Sequence, residues 1–203
     1  MSTLERVAAE VRACTLCAEH LPLGPRPVIR VSPTARLLIM GQAPGTKVHH
    51  TGLSWNDASG ERLRRCMAVT REDFYDVSRV AVIPAGFCYP GRLKNGGDAP
   101  PRRECAPLWH PRLMPLMAGL RLTLLVGTYA QALVLGPGRM TDRVRDFRLY
   151  LPEYLPLPHP SWRTTAWERA NPWFGEELLP LLRGMVGELI SPSRVPALRS
   201  RRR

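Results

Sequence analysis

The chain has 203 residues and a formal net charge of +12, a length that suits one domain with a substantial core. No apolar stretch approaches the roughly 20 residues of a membrane-spanning helix, and the first residues lack the charged-then-apolar pattern of an export signal, so a cytoplasmic protein is expected. The charge is almost entirely arginine, since Lys47 and Lys94 are the only lysines, and it points to a polyanionic partner.

In chain order, residues 2–13 have helical spacing, with Ser2 or Thr3 as N-cap and Glu5 in the first turn. Residues 21–35 are rich in proline and arginine and read as a loop. Leu37–Met40 is an apolar run of strand length. A helix is expected from Ala58 to Ala68, a helical turn near Arg71–Val77, and a second strand over residues 79–85. Arg92–Pro101 is glycine- and proline-rich and reads as an exposed loop. A helix from Cys105 to about Met117 precedes a third strand, Leu122–Val126, and a helix from Thr128 to Leu135. Gly136–Arg148 reads as an irregular loop carrying Arg139, Arg143, Arg145 and Arg148. Tyr154–Leu157 is the fourth strand, and a last helix spans Asn171 to Leu189. Strands alternating with helices predict an α/β fold with a mainly parallel sheet covered on both faces. The domain is expected over residues 1–190. Beyond it, Ser191–Arg203 carries five arginines, no acid and few apolar residues, the composition of a disordered basic tail.

The first strand runs into Gly41-Gln42-Ala43-Pro44-Gly45. Two glycines around a proline predict a tight turn that leaves main-chain N–H groups facing outward, at the sheet edge where α/β proteins bind ligands. About ten residues on, Trp55, Asn56 and Asp57 place an aromatic, an amide and a carboxylate just before a helix. From pattern alone, Trp55 also reads as a core residue and Asp57 as the N-cap of that helix.

Cys14 and Cys17 form a CxxC, and Cys88 and Cys105 lie far downstream. In a cytoplasmic chain a CxxC binds metal or does redox work more often than it forms a structural disulfide. Four thiolates suit an iron–sulfur cluster or zinc, while scattered buried thiols are the competing reading. Cys66, alone in an amphipathic helix, reads as a core residue. His159 stands between Pro158 and Pro160, just past the fourth strand and so on the same sheet edge as Gly41. Prolines restrict its backbone, as suits a side chain that must be placed accurately. His49 and His50 are ambiguous, and His20 and His110 read as incidental.

Together the Gly41–Gly45 turn, Trp55, Ser59-Gly60, the four cysteines and His159-Pro160-Ser161 resemble the uracil-DNA glycosylase superfamily. They lie nearest its family-four bacterial and archaeal branch, which carries an iron–sulfur cluster. The resemblance covers roughly residues 10–185. It implies a three-layer α/β/α sandwich with a four-stranded parallel sheet, a 4Fe–4S cluster (or zinc) on Cys14, Cys17, Cys88 and Cys105, and a DNA partner bound by a monomer. In this picture a base flipped out of the DNA enters a pocket. Trp55 stacks on it, and His159 donates to its carbonyl oxygen. Main-chain N–H groups near Gly41 and Gln42 line the pocket with Ala43, Pro44 and Gly45. Ser161 and the arginines of residues 136–148 hold phosphates.

The chain departs from that pattern twice. Family four has a glutamate where this chain has Gln42, and an amide can orient a water but cannot take its proton. Asp57 is the nearest carboxylate by sequence. The superfamily also carries a base-reading asparagine after the second strand, where this chain has Ile83-Pro84-Ala85-Gly86, so Asn56 is the remaining candidate for that task. Three readings follow. The first is a DNA glycosylase for uracil or another deaminated or damaged base. The second is a non-catalytic nucleic-acid-binding relative with the same fold and cluster. The third is an unrelated metal-binding α/β protein acting on a small ligand.

Overall fold

A computed structural model describes residues 1–94 and 96–190. The expected tail, residues 191–203, lies outside the described residues. Helix α1 (Thr3–Arg12) is closed by a capping box in which Ser2 and Glu5 satisfy each other's main-chain N–H. Strand β1 (Leu37–Met40) follows, then α2 (Thr46–Thr51), α3 (Ala58–Met67), α4 (Arg71–Tyr75) and β2 (Val80–Val82). The second half comprises α5 (Cys105–Leu113), β3 (Leu122–Val126), α6 (Thr128–Leu135), α7 (Met140–Arg145), β4 (Tyr154–Leu157) and α8 (Thr164–Ala170). A π-helical turn (Phe174–Leu178) then runs into α9 (Leu179–Ile190).

The four strands form one parallel sheet in the order β2-β1-β3-β4. All four are buried apolar segments, and alternate residues serve opposite layers as the pleat requires. Leu37 and Ile39 of β1 pack with Leu63, Met67, Phe74, Leu182 and Val186 under α3, α4 and α9. Leu38 and Met40 face the other way, against Val7, Val11, Trp109 and Leu113 of α1 and α5. Helices therefore cover both faces, giving the expected three-layer α/β/α arrangement. Burying each such aliphatic side chain contributes about 1.5–3 kcal/mol. Among the described residues no helix is long and apolar enough to cross a membrane.

Parallel pairing brings all four C-terminal strand ends to one edge. The register sets Ile39 beside Val82 and Leu124, and Val126 beside Leu157. Gly41, Pro84, Gly127 and His159 consequently follow the strands on the same side. Several elements differ from expectation. Residues 46–51 form α2, and α8 occupies residues 164–170, for which no element was expected. Gly136–Arg148 is not irregular, since it contains α7 and a 3-10 turn over Phe147–Tyr150.

Candidate active site

A cavity of about 120 Å³ opens at this edge, and its walls include Gly41, Gln42, Trp55, Asp57, Asp98 and His159. It is well below the roughly 300–1,000 Å³ of sites for drug-sized ligands and suits one small planar ring. Residues separated by more than a hundred positions thus meet in one place.

The Trp55 wall is fixed from several directions. Its main chain has φ 56, a left-handed conformation that costs a non-glycine residue energy and needs support from its surroundings. Arg64 donates to the Trp55 main-chain oxygen at 3.2 Å, and the Tyr75 hydroxyl donates to the oxygen of Ser54 at 3.0 Å. Asp57 closes the loop by accepting from Gly60 N–H at 2.8 Å as the N-cap of α3. Two glycines make room for this tryptophan. A Cβ on Gly60 would stand 1.8 Å from the Trp55 oxygen, and one on Gly41 would stand 2.9 Å from its ring. The ring also touches the core beneath α3, so its packing and pocket roles coexist.

His159 comes from the end of β4, yet its ring lies 5.9 Å from that of Trp55 at 31°. Strand β3 stands between β4 and β1, so His159 must lean across the end of β3. Gly127 permits this, because a Cβ there would lie 3.3 Å from the His159 Cβ. The His159 main-chain oxygen accepts from Ser161 N–H at 2.8 Å and from the Thr164 hydroxyl at 3.0 Å. Arg62 on α3 donates to the Ser161 oxygen at 2.9 Å and pairs with Glu168 at 2.5 Å, tying the histidine loop to the Trp55 helix. Burial pushes the imidazole below its ordinary value, against the opposing pull of Asp57 and Asp98. It therefore stands neutral at pH 7, with one N–H to donate.

Other expected residues take less direct roles. The Gln42 side chain donates to the Ala99 main-chain oxygen at 2.8 Å, which ties the first turn to the loop after β2. Among the described residues the main-chain N–H groups of Gln42 and Ala43 have no hydrogen-bond partner, leaving two donors at the cavity wall. Asn56 accepts from Arg71 at 3.3 Å and is not part of the cavity lining. Ser161 is likewise outside the lining and is engaged through its main-chain oxygen. Arg143, expected to hold phosphate, is buried and donates inward to the Gly136 oxygen. Arg139 and Arg148 pair with Asp142 and Glu177, and Arg145 lies over the Trp173 ring. The segment after β2, Ile83-Pro84-Ala85-Gly86, has no side-chain amide and contributes Pro84 to the lining, while the N–H groups of Ala85 and Gly86 bond to the oxygens of Gly41 and Gln42.

Asp98 is the functional candidate that the sequence did not reveal. It belongs to the segment read as a plain exposed loop, yet it lines the cavity. Although much of the residue remains exposed, burial of the carboxyl raises its pKa. Arg92, His159 and Arg163 oppose that shift, and Asp57 adds to it. One signal was available: the loop leaves β2 at the ligand-binding edge and contains a single acid. Ser54 and Ser59 add hydroxyl-bearing residues to the walls.

Cys14, Cys17, Cys88 and Cys105 line a second, smaller cavity beside Phe87, Arg102 and Trp109. All five cysteines are free thiols, and Cys66 lies apart from these four, against the α3–α9 core. The Cys88 thiol is pushed up to about 11, chiefly by burial and to a smaller extent by the other three cysteines of the cavity, against the lowering effect of a main-chain hydrogen bond from Arg26. Among the described residues, no group of three or more His, Cys, Asp or Glu side chains is arranged to hold a metal ion. The four cysteines thus share one cavity.

Comparison with known proteins bears on the chemistry. The family model for the uracil DNA glycosylase superfamily matches residues 29–183. One similar solved structure is the solution NMR structure of a candidate uracil DNA glycosylase from Methanosarcina acetivorans. It is 15% identical, with 79% of this chain and 97% of that chain covered and a TM-score of 0.43. The match over residues 29–183 spans most of the chain, β1 to β4 and both walls of the cavity included, and on that ground the chain belongs to the uracil DNA glycosylase superfamily.

Proposed function

We propose that this protein is a DNA glycosylase, hydrolysing the N-glycosidic bond of uracil or another deaminated or damaged base held in the Trp55–His159 cavity. The observation that carries this reading is the juxtaposition of a neutral, half-buried histidine with a tryptophan wall and two main-chain N–H groups that are unpaired among the described residues. A base leaving a sugar takes the bonding electron pair with it, and the charge develops on its carbonyl oxygens. Preorganised donors aimed at that charge accelerate the step. A neutral His159 donates an N–H without itself having to lose a proton to the base. Trp55 offers a face for stacking, which any base satisfies. The net charge of +12 draws the protein to the phosphate backbone. The test is base release from oligonucleotides that each carry one uracil, hypoxanthine or xanthine.

The four cysteines of the second cavity belong to the same reading, as ligands of a 4Fe–4S cluster. A single zinc ion needs its sulfurs about 2.3 Å from one point. A cluster distributes thiolates over several irons, and four cysteines around one cavity supply the thiolates that it requires. When bound, the cluster would cross-link the lead-in before β1, the end of β2 and the start of α5, since those are the segments that carry Cys14, Cys17, Cys88 and Cys105. Binding must displace thiol protons, which burial holds in place at Cys88 and Cys105, and the metal supplies that driving force.

A second reading, a nucleic-acid-binding relative without turnover, draws on the amide at Gln42. Salt-dependent DNA binding with no base released from any substrate would favour it.

A further inference from the structure

We propose that Asp98 is the catalytic carboxylate of this protein and that Gln42 is the positioning residue that holds it at the cavity. This rests on the glycosylase reading. Residue 42, on the turn that ends β1, is an amide and cannot take a proton, so the proton acceptor must come from elsewhere. The cavity contains two carboxylates, Asp57 and Asp98. Asp57 is already committed, because its Oδ1 accepts from Gly60 N–H at 2.8 Å and turning it away would uncap α3. The Asp98 carboxyl has no hydrogen bond or ion pair among the described residues.

Asp98 is also well placed. A Cβ on Gly45 would be 3.6 Å from its Oδ2, so the carboxylate lies against the far end of the Gly41–Gly45 turn. The next residue is anchored twice: Gln42 donates to the Ala99 oxygen at 2.8 Å, and Ala99 N–H donates to the Gly91 oxygen at 2.8 Å. On the other side Gly96 and Gly97 adopt left-handed φ values of 79 and 97, a conformation in which glycine is free of side-chain strain. The amide at residue 42 therefore exchanges chemistry for placement. It gives up the proton-accepting role and pins the loop that carries an acceptor.

In the step itself, the C1′–N bond breaks and the base departs with the electron pair, donated to by His159. Water oxygen bonds to C1′, and its proton passes to Asp98. That proton then returns through solvent to the departing base, leaving free base and an abasic sugar. The groups facing Asp98 are Arg92, His159, Asp57 and Arg163, and the raised affinity for a proton makes it a stronger base than an exposed aspartate.

The test measures single-turnover base release from single-stranded oligonucleotides bearing uracil, hypoxanthine or xanthine, with oligonucleotide affinity and thermal unfolding for each variant. Asp98→Asn is expected to slow release about a hundredfold or more, the range of a lost general base. Affinity should change less than about threefold, as for a group acting in the transition state. Melting should be no lower than in the parent, and Asp98→Glu should recover part of the rate. If the parent releases a base and Asp98→Asn does so within about threefold, Asp98 is overturned while the glycosylase reading stands. A lower melting temperature together with lost affinity would make Asp98 structural and also overturn the proposal. If the parent releases none of the three bases, both readings fall.

Discussion

The side-chain amide of Gln42 donates to the main-chain oxygen of Ala99 at 2.8 Å, joining the turn after β1 to the loop after β2. Glutamate at this position cannot donate when ionised, and it would set its charge against a carbonyl oxygen. Gln42→Glu should therefore lower both stability and rate in this chain. Loss of a partly buried hydrogen bond with an uncompensated acceptor costs about 1–3 kcal/mol, readable by denaturant unfolding. Unchanged stability would show that the tie to Ala99 carries little weight.

The two glycines beside Trp55 should fail in different ways. Gly60→Ala places a methyl group 1.8 Å from a main-chain oxygen, where no side-chain rotation relieves the clash. A loss of about 1–3 kcal/mol or more is expected, checked by thermal unfolding. Gly41→Ala meets the edge of the Trp55 ring at 2.9 Å, and that ring can tilt. Its main effect should fall on base release and on tryptophan fluorescence, with a smaller change in melting temperature.

Much of this site was legible in the sequence because it sits where chain direction changes. Leu37–Met40, Leu122–Val126 and Tyr154–Leu157 are strands at the bounds their apolar runs suggest, and the glycine- or proline-marked turns after them face one edge. The second strand stops at Val82 rather than continuing to residue 85, since Pro84 has no N–H to extend the ladder. Short helices such as α2 and α7 escaped because six residues hold less than two turns of pattern. Asp98 escaped for another reason. A glycine-rich loop has no periodicity, and its inward fold rests on the tertiary tie from Gln42 together with the Ala99–Gly91 main-chain bond. Arg143 misled in the opposite sense, as a charged residue in a polar stretch that turns out to be buried.

The pH response follows from two opposed shifts. His159 is held below its ordinary value chiefly by burial, so it keeps its neutral, donating form as pH falls toward its ordinary 6.5. Asp98 is shifted upward, also by burial. Base release should therefore fall on the acid side as Asp98 takes up a proton, at a pH above the ordinary aspartate value of 3.8. The raised folded-state pKa also means that the ionised carboxyl weakens folding: its contribution is most favourable below the unfolded pKa and declines as pH rises through the folded one. Asp98→Asn should remove that decline. A rate profile without an acid limb, or one that Asp98→Asn leaves unchanged, would contradict this assignment.

Protein purified without oxygen should be brown, with broad visible absorbance and about four irons per chain, as a 4Fe–4S cluster requires. Cys88→Ser should abolish the colour. Cys66→Ser should not, because Cys66 packs against the opposite core. Colourless protein with one zinc per chain would retain the four ligands and overturn the iron assignment.

Removing Arg194–Arg203 takes away five positive charges. Binding to single-stranded DNA should weaken for all sequences alike, and the salt slope should fall by up to about 0.7 for each phosphate that the segment neutralises. A change in base preference would give that segment a part in recognition.

The most direct measurement is base release by the parent protein and by His159→Ala on the three deaminated-base oligonucleotides. Removing one donor from the site of developing charge should slow the reaction about a hundredfold or more. The parent should free at least one base, and His159→Ala should show this loss with its fold intact. Release at the parental rate by His159→Ala, or no release by the parent from any of the three, would contradict a glycosylase site built on Trp55 and His159.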